Sequence, residues 1–158
     1  MIRTGIGYDI HKLEKKRDLV IGGVTIPSKF GSLGHSDGDA LIHAIIDALL
    51  GAANMGDIGK YFPSENEKWK NHPSGSFLSE IVNLIDQSGY KILNIDSTIV
   101  LQKPKLKKYI PSIINNLATV MEIKHSLISV KATTTDGLGF IGEGNGWSVI
   151  AIATLNKT

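Results

Sequence analysis

The sequence predicts an α/β (α+β) fold, a mixed four-stranded β-sheet with helices packed on one face. Two patterns and a length lead there. Residues 2–11, 90–102, 128–135 and 147–155 read as strands, and residues 39–53, 74–88 and 109–122 read as helices between them. The 158 residues suit one compact domain over 1–158, because a chain of that length buries roughly 70% of the surface its unfolded form exposes.

Each element carries its own signal. In 2–11, Ile2, Thr4, Ile6, Tyr8 and Ile10 share one strand face, and Arg3, Gly5, Gly7, Asp9 and His11 share the other. A hairpin follows over 18–26, with a Gly22-Gly23 turn and a stop at Pro27. Residues 31–39 read as a Gly/Ser/Asp loop in which Ser36 or Asp37 is available to cap the next helix. That helix is apolar around most of its circumference, and only Asp39, His43 and Asp47, spaced by four, form a polar stripe. A helix so apolar is buried, so the stripe faces either water or a polar site inside the fold. A loop holding Gly56-Asp57-Ile58-Gly59 and Phe62-Pro63 leads to helix 74–88, which stops at Gly89. Pro104 interrupts the strand from Tyr90, helix 109–122 follows, and the last two strands flank a Gly-rich loop.

Composition excludes several functions. The chain has no cysteine, so disulfides and thiolate metal sites are ruled out, and any metal must be held by His, Asp or Glu. That also suits a reducing compartment. A net charge of +2 gives no electrostatic footprint for nucleic acid. No apolar run reaches the ~18–20 residues of a membrane span. The first residues alternate instead of showing the basic start and apolar middle of a signal peptide. The expectation is a cytoplasmic protein with no nucleic-acid and no membrane partner.

Four clusters carry candidate chemistry. Asp9 and His11 lie on one strand face with Cα atoms about 6.5–7 Å apart, near enough to reach one ion, and His43 on the buried helix would complete a three-ligand set. An accidental strand pair beside a hydrogen-bonded core histidine fits the same letters. The run Gly34 to Asp39 can let backbone approach an anion at a helix N-terminus, or simply turn and cap. Lys103, Lys105, Lys107 and Lys108 can bind phosphate or form a solvated basic face, and no aromatics are interleaved as a nucleic-acid groove requires. Thr133, Thr134 and Thr135 followed by Asp136 offer hydroxyls to phosphate and a carboxylate to Mg²⁺, or mark a strand end.

The order of these clusters is more specific than any one of them. Gly7-Tyr8-Asp9-Ile10-His11, Ile21-Gly22-Gly23-Val24, His35-Ser36-Asp37-Gly38-Asp39 with His43, Asp47 to Ala52, Gly56 to Pro63 and Val130 to Thr135 together resemble the 2-C-methyl-D-erythritol 2,4-cyclodiphosphate synthase family over nearly the whole chain. The resemblance implies a homotrimer with active sites at subunit interfaces, acting on a cytidine-diphosphate-linked small-molecule substrate. By position, Asp9, His11 and His43 match Zn²⁺ ligands, and Asp136 falls where a Glu usually binds a second ion, Mg²⁺ or Mn²⁺. His35, Ser36, Asp57, Ile58, Gly59 and Phe62 match the surroundings of the methylerythritol phosphate. Leu101, Pro104, Lys105, Leu106, Lys107 and Thr133 match a cytidine diphosphate pocket lent by a neighbouring subunit. His35 and Thr134 match the positions that stabilise the transition state, and Phe140 is grouped with the substrate-binding positions. Asp47, one turn from His43, is a candidate for orienting that ligand, and a plain helix-surface charge fits the same spacing.

Three residues depart from the family pattern. Asp136 shortens the second-metal arm by one CH₂, Ser64 stands where an Asp is common, and Glu143 stands where many members have an Arg at the trimer axis. That Arg can hold an isoprenyl diphosphate, so this chain is expected to bind geranyl diphosphate poorly. Two rival readings share the metal centre: a phosphoesterase that activates water, and a trimeric docking module with structural zinc.

Overall fold

The computed structural model describes Met1–Thr158. Strands β1 (Ile2–Lys15), β4 (Phe30–Ser32), β5 (Tyr90–Val100), β6 (Ile128–Thr133) and β7 (Gly146–Lys157) form one mixed sheet in the order β4-β1-β7-β5-β6. Only β5 and β6 run parallel. The short strands β2 (Leu19–Ile21) and β3 (Val24–Ile26) make a separate two-stranded ribbon. Five strands replace the four expected because β1 runs on past His11 and pairs Leu13 with Ser32 and Lys15 with Phe30. The added edge strand is three residues long, too short to show alternation in the sequence.

Helices α1 (Ala40–Ala53), α3 (Ser74–Gln87) and α4 (Ile110–Met121) form the second layer, and two single turns, α2 (Ile58–Tyr61) and α5 (Gly139–Gly142), lie in the connecting loops. The main helices end as their sequences require: Asn54 and Glu122 take left-handed conformations after α1 and α4, and Gly89 has φ +80° after α3. The helical layer covers one sheet face. On β7, Trp147, Val149, Ala151, Ala153 and Leu155 are buried beneath it, whereas Ile150 and Ile152 point the other way and are exposed.

The two faces of β1 divide in an unusual manner. The apolar set Ile2, Ile6, Tyr8 and Ile10 is exposed, and Gly5 and Gly7 face α1. A Cβ on Gly5 would lie 2.1 Å from the Ala48 carbonyl oxygen, so glycine is what lets the helix lie this low on the strand. Close contact brings the Asp9/His11 face of β1 against the polar stripe of α1.

That stripe serves three different partners. Asp39, fully buried, caps α1 by accepting from Ile42 N at 3.1 Å and also accepts from Gly22 N at 3.0 Å and Gly23 N at 2.7 Å. Gly22 and Gly23 have φ +59° and +77°, a left-handed pair that suits a two-residue hairpin turn. Asn116 of α4 closes the clamp by donating to Gly22 O at 2.7 Å. The cap is therefore Asp39, not Ser36 or Asp37, and its carboxylate takes the Ile42 N–H of the helix's first turn.

Candidate active site

Strand β1 and helix α1 bring Asp9, His11 and His43 together. Asp9 Oδ2 lies 2.9 Å from His11 Nε2 and 3.0 Å from His43 Nδ1, and one ligand atom from each residue lies within 4.8 Å of the others. Donors around a tetrahedral zinc ion, with bonds of about 2.0–2.1 Å, sit roughly 3.3 Å apart, so the group needs little adjustment to hold one.

The donor chemistry supports a cation there. His11 Nδ1 is 3.0 Å from the Leu33 carbonyl oxygen, which only accepts, so Nδ1 carries the proton and Nε2 turns toward the Asp9 carboxylate. A lone pair facing a carboxylate at that distance needs a proton or a metal ion between them. Burial works against charge on both partners, yet their mutual hydrogen bond and attraction outweigh it. Asp9, which also gains from His43, is held down at about 2, and His11 is raised above the usual histidine range. Two imidazoles and one carboxylate suit zinc, and leave one tetrahedral position for a substrate oxygen.

This centre opens into a cavity of about 410 Å³ whose walls include His11, His43, His35, Ser36, Ile58, Gly59, Phe62 and Ser64. Six residues singled out from the sequence thus meet beside the three metal-ligand candidates. Two further walls, Trp69 and Phe77, lie outside the residues matched to the substrate site from the sequence. They belong to an aromatic cluster: Phe62 stacks on Phe77 at 4.3 Å, and Trp69 stands edge-on to both rings at 5.1 and 5.5 Å. The cluster holds loop 63–73 down beside the cavity, and Asn71 N donates to His35 O at 3.0 Å from the same loop.

Two acidic residues bond to backbone N–H groups of α2. Asp57 does not line the cavity; it caps α2 by accepting from Lys60 N at 3.2 Å. Asp47 does not orient His43. It accepts from Ile58 N at 2.8 Å and so anchors α2, and burial raises its carboxyl above the usual range despite that donor. Helical spacing put Asp47 on the His43 face but could not show which group its carboxylate would meet. The other nitrogen of His43 meets Ser74 Oγ at 2.9 Å and Ser36 Oγ at 3.3 Å.

A second cavity, about 360 Å³, is lined by Leu101, Gln102, Pro104, Lys105, Leu106, Lys107, Ile110, Ala132, Thr133 and Thr134. It shares no residue with the first. Asp136 is exposed next to it, with the Thr134 hydroxyl 3.4 Å from its carboxylate. Glu143 lines a different hollow with Leu13 and Phe30 and accepts from Asn145 at 3.2 Å, while Phe140 is half exposed near the start of α5.

A two-layer α/β chain with an Asp/His/His centre beside a cavity of substrate size has the features of a metal-dependent enzyme. The chain belongs to the YgbB family, whose model matches residues 2–156. It is 51% identical to 2-C-methyl-D-erythritol 2,4-cyclodiphosphate synthase of Clostridium botulinum, over 98% of this chain and 100% of that protein. Among solved structures it superposes on the bifunctional IspDF from Campylobacter jejuni with a TM-score of 0.96 at 39% identity, covering 100% of this chain and 43% of that longer one. The CDP complex of IspF from Plasmodium falciparum matches with a TM-score of 0.87 at 39% identity, over 99% of this chain and 97% of that one.

Proposed function

We infer that this enzyme converts 4-diphosphocytidyl-2-C-methyl-D-erythritol 2-phosphate to 2-C-methyl-D-erythritol 2,4-cyclodiphosphate with release of CMP, in the non-mevalonate isoprenoid route. The observation that carries this reading is the convergence of Asp9, His11 and His43 on one point beside the His35/Ser36 cavity, which His11 and His43 line. It occurs in a chain half identical, end to end, to synthases of that name.

The substrate brings its own nucleophile. An oxygen of the 2-phosphate attacks the β-phosphorus, the bond from that phosphorus to the oxygen bridging the α-phosphate breaks, and CMP leaves with that oxygen. Two anions must meet, so the protein contributes positioning and charge stabilisation. Asp9, His11 and His43 would hold Zn²⁺, which supplies Lewis-acid charge and a template at the β-phosphate. His35, the Ser36 hydroxyl and the side-chain-free backbone of Gly59 offer donors and close approach to the methylerythritol phosphate, with Ile58, Phe62 and Ser64 completing the wall. Asp57 contributes by fixing the turn that presents Ile58 and Gly59. Leu101, Pro104, Lys105, Leu106, Lys107 and Thr133 would receive the cytidine diphosphate, and His35 and Thr134 would donate to the charge that develops in transit. Asp136 is a lone carboxylate, which suits Mg²⁺ or Mn²⁺ whose remaining ligands come from substrate phosphates and water.

We further propose a homotrimer of single-domain chains over 1–158. The metal side and the cytidine side form separate cavities, and one sheet face carries exposed Ile2, Ile6, Tyr8, Ile10, Ile150 and Ile152. An apolar patch of that kind calls for a partner, and subunit pairing there would let one substrate span two chains. Phosphorus NMR with the cytidyl substrate, zinc and Mg²⁺ tests the whole reading. Coupled signals of a cyclic diphosphate beside free CMP are expected, and inorganic phosphate in their place would mean a hydrolase.

A further inference from the structure

We propose that Asp37 and Ser74 set the tautomer of His43, keeping its Nδ1 lone pair turned toward Asp9, and so act as positioning residues for the metal centre. This rests on the metal-centre reading above. Asp37 sits one turn before α1, and Ser74 is the first residue of α3, fully buried. The Asp37 carboxylate clasps Ser74 twice: Oδ2 accepts from Ser74 N at 2.9 Å, and Oδ1 accepts from the Ser74 hydroxyl. Oδ1 also accepts from Asp39 N at 3.1 Å. A carboxylate has only acceptors, so the single hydroxyl proton of Ser74 is committed to Asp37.

Ser74 Oγ then meets His43 Nε2, 2.9 Å away, as an acceptor. With zinc held at Nδ1, which lies 3.0 Å from Asp9 Oδ2, the ring proton sits on Nε2 and donates to Ser74. The opposite tautomer would set the Nε2 lone pair against the Ser74 lone pair. Ser36, at the longer distance of 3.3 Å, has a freely turning hydroxyl and is compatible with an Nε2 donor. With the Leu33 carbonyl fixing His11, both imidazoles aim lone pairs at the Asp9 carboxylate. Outer partners of this kind typically change metal affinity by about 10–100-fold when removed. A sequence pattern could not reveal this pair, because its members lie 37 residues apart on different elements.

Two variants test the relay. Ser74→Ala removes the acceptor and leaves the backbone clasp to Asp37. Asp37→Asn is close in shape and offers Ser74 a donor, so the hydroxyl proton can turn toward His43 and reverse the chain. Long-range proton–nitrogen correlation of histidine-labelled, zinc-loaded protein reads which His43 nitrogen keeps its proton, and chelator competition reads zinc affinity. The expected results are Nε2–H on His43 in the zinc-loaded parent protein, changed His43 nitrogen shifts in both variants as its hydrogen bond to Ser74 is lost or reversed, and zinc affinity about 10–100-fold lower in both. Nδ1–H on His43 in the zinc-loaded parent, or unchanged His43 shifts and affinity in both folded variants, would overturn the proposal. If the parent takes up no zinc at all, it is the metal-centre reading that fails, so the two are told apart.

Discussion

Gly7 of β1 lies so close to Ala44 of α1 that a Cβ on Gly7 would fall 1.9 Å from the Ala44 carbonyl oxygen. Asp9 follows two residues after Gly7, and His43 immediately precedes Ala44, so this single contact sets the distance between two metal-ligand candidates. Gly7→Ala cannot be absorbed by a side-chain rotation, because the obstacle is backbone. It is expected to destabilise the protein by about 3 kcal/mol through forced separation of strand and helix. Zinc affinity should fall with it, even at temperatures where the variant remains folded. Urea melts together with zinc titration check this; a folded variant with undiminished zinc affinity would show that the contact does not set the site.

Asp39 makes a comparable structural demand. Its carboxylate satisfies Gly22 N, Gly23 N and Ile42 N within a buried pocket. Asp39→Ala leaves those three donors without partners and is expected to cost roughly 3 kcal/mol or more. Asp39→Asn keeps one oxygen and loses the acceptor for Gly23, so its cost should be smaller. Chemical denaturation ranks the two, and equal stabilities would contradict the clamp.

Much of this was legible in the sequence, for identifiable reasons. Period-two alternation put Asp9 and His11 on one face, and a lone histidine on an apolar helix marked His43 as facing something polar. Both are local patterns. Asp47 misled because helical spacing fixes a face but not the neighbour opposite it, which proved to be Ile58 N. The Asp37–Ser74 clasp and the aromatic wall of Phe62, Trp69 and Phe77 depend on loop closure between distant segments, and no local period records that. Strand β4 escaped notice because a three-residue edge strand holding a glycine has no pattern to read.

The opposed shifts of Asp9 and His11 predict a pH signature for metal binding. In metal-free protein His11 is raised, so the stability it gains from Asp9 is complete below pH 6.5, its unfolded value, and is lost as pH rises through the folded value. Asp9, lowered from 3.8 to about 2, contributes stability that is present above pH 3.8 and lost as pH falls toward 2. The metal-free pair is therefore strongest between those limits. Zinc needs the His11 nitrogen without its proton, so its contribution grows as pH rises. Melting temperatures with chelator and with zinc should lie close together near pH 5.5 and diverge toward pH 8, with the metal-free value falling. A gap independent of pH would mean that zinc does not replace the His11 proton.

The uncovered sheet face makes the assembly testable without disturbing either cavity. Ile6 pairs in register with Ile152, and Tyr8 with Ile150, and all four side chains are exposed on the side away from the helices. Ile6→Glu adds a charge where the single chain already meets water, so the folded subunit should tolerate it. A charge buried between subunits without a partner is costly, so the proposed trimer should dissociate and CMP release fall to background. Sedimentation and circular dichroism separate those effects, and an active trimer of the variant would remove this face from the interface. A mixing experiment then asks whether the site is shared. Asp9→Ala disables the metal half, and Ala132→Trp fills the second cavity, whose wall includes Ala132. Each variant alone should be inactive. Co-assembled, some sites would combine the intact metal half of one subunit with the intact cytidine cavity of its neighbour, and activity should return. Mixed trimers that stay inactive would mean that both halves of each site come from one chain.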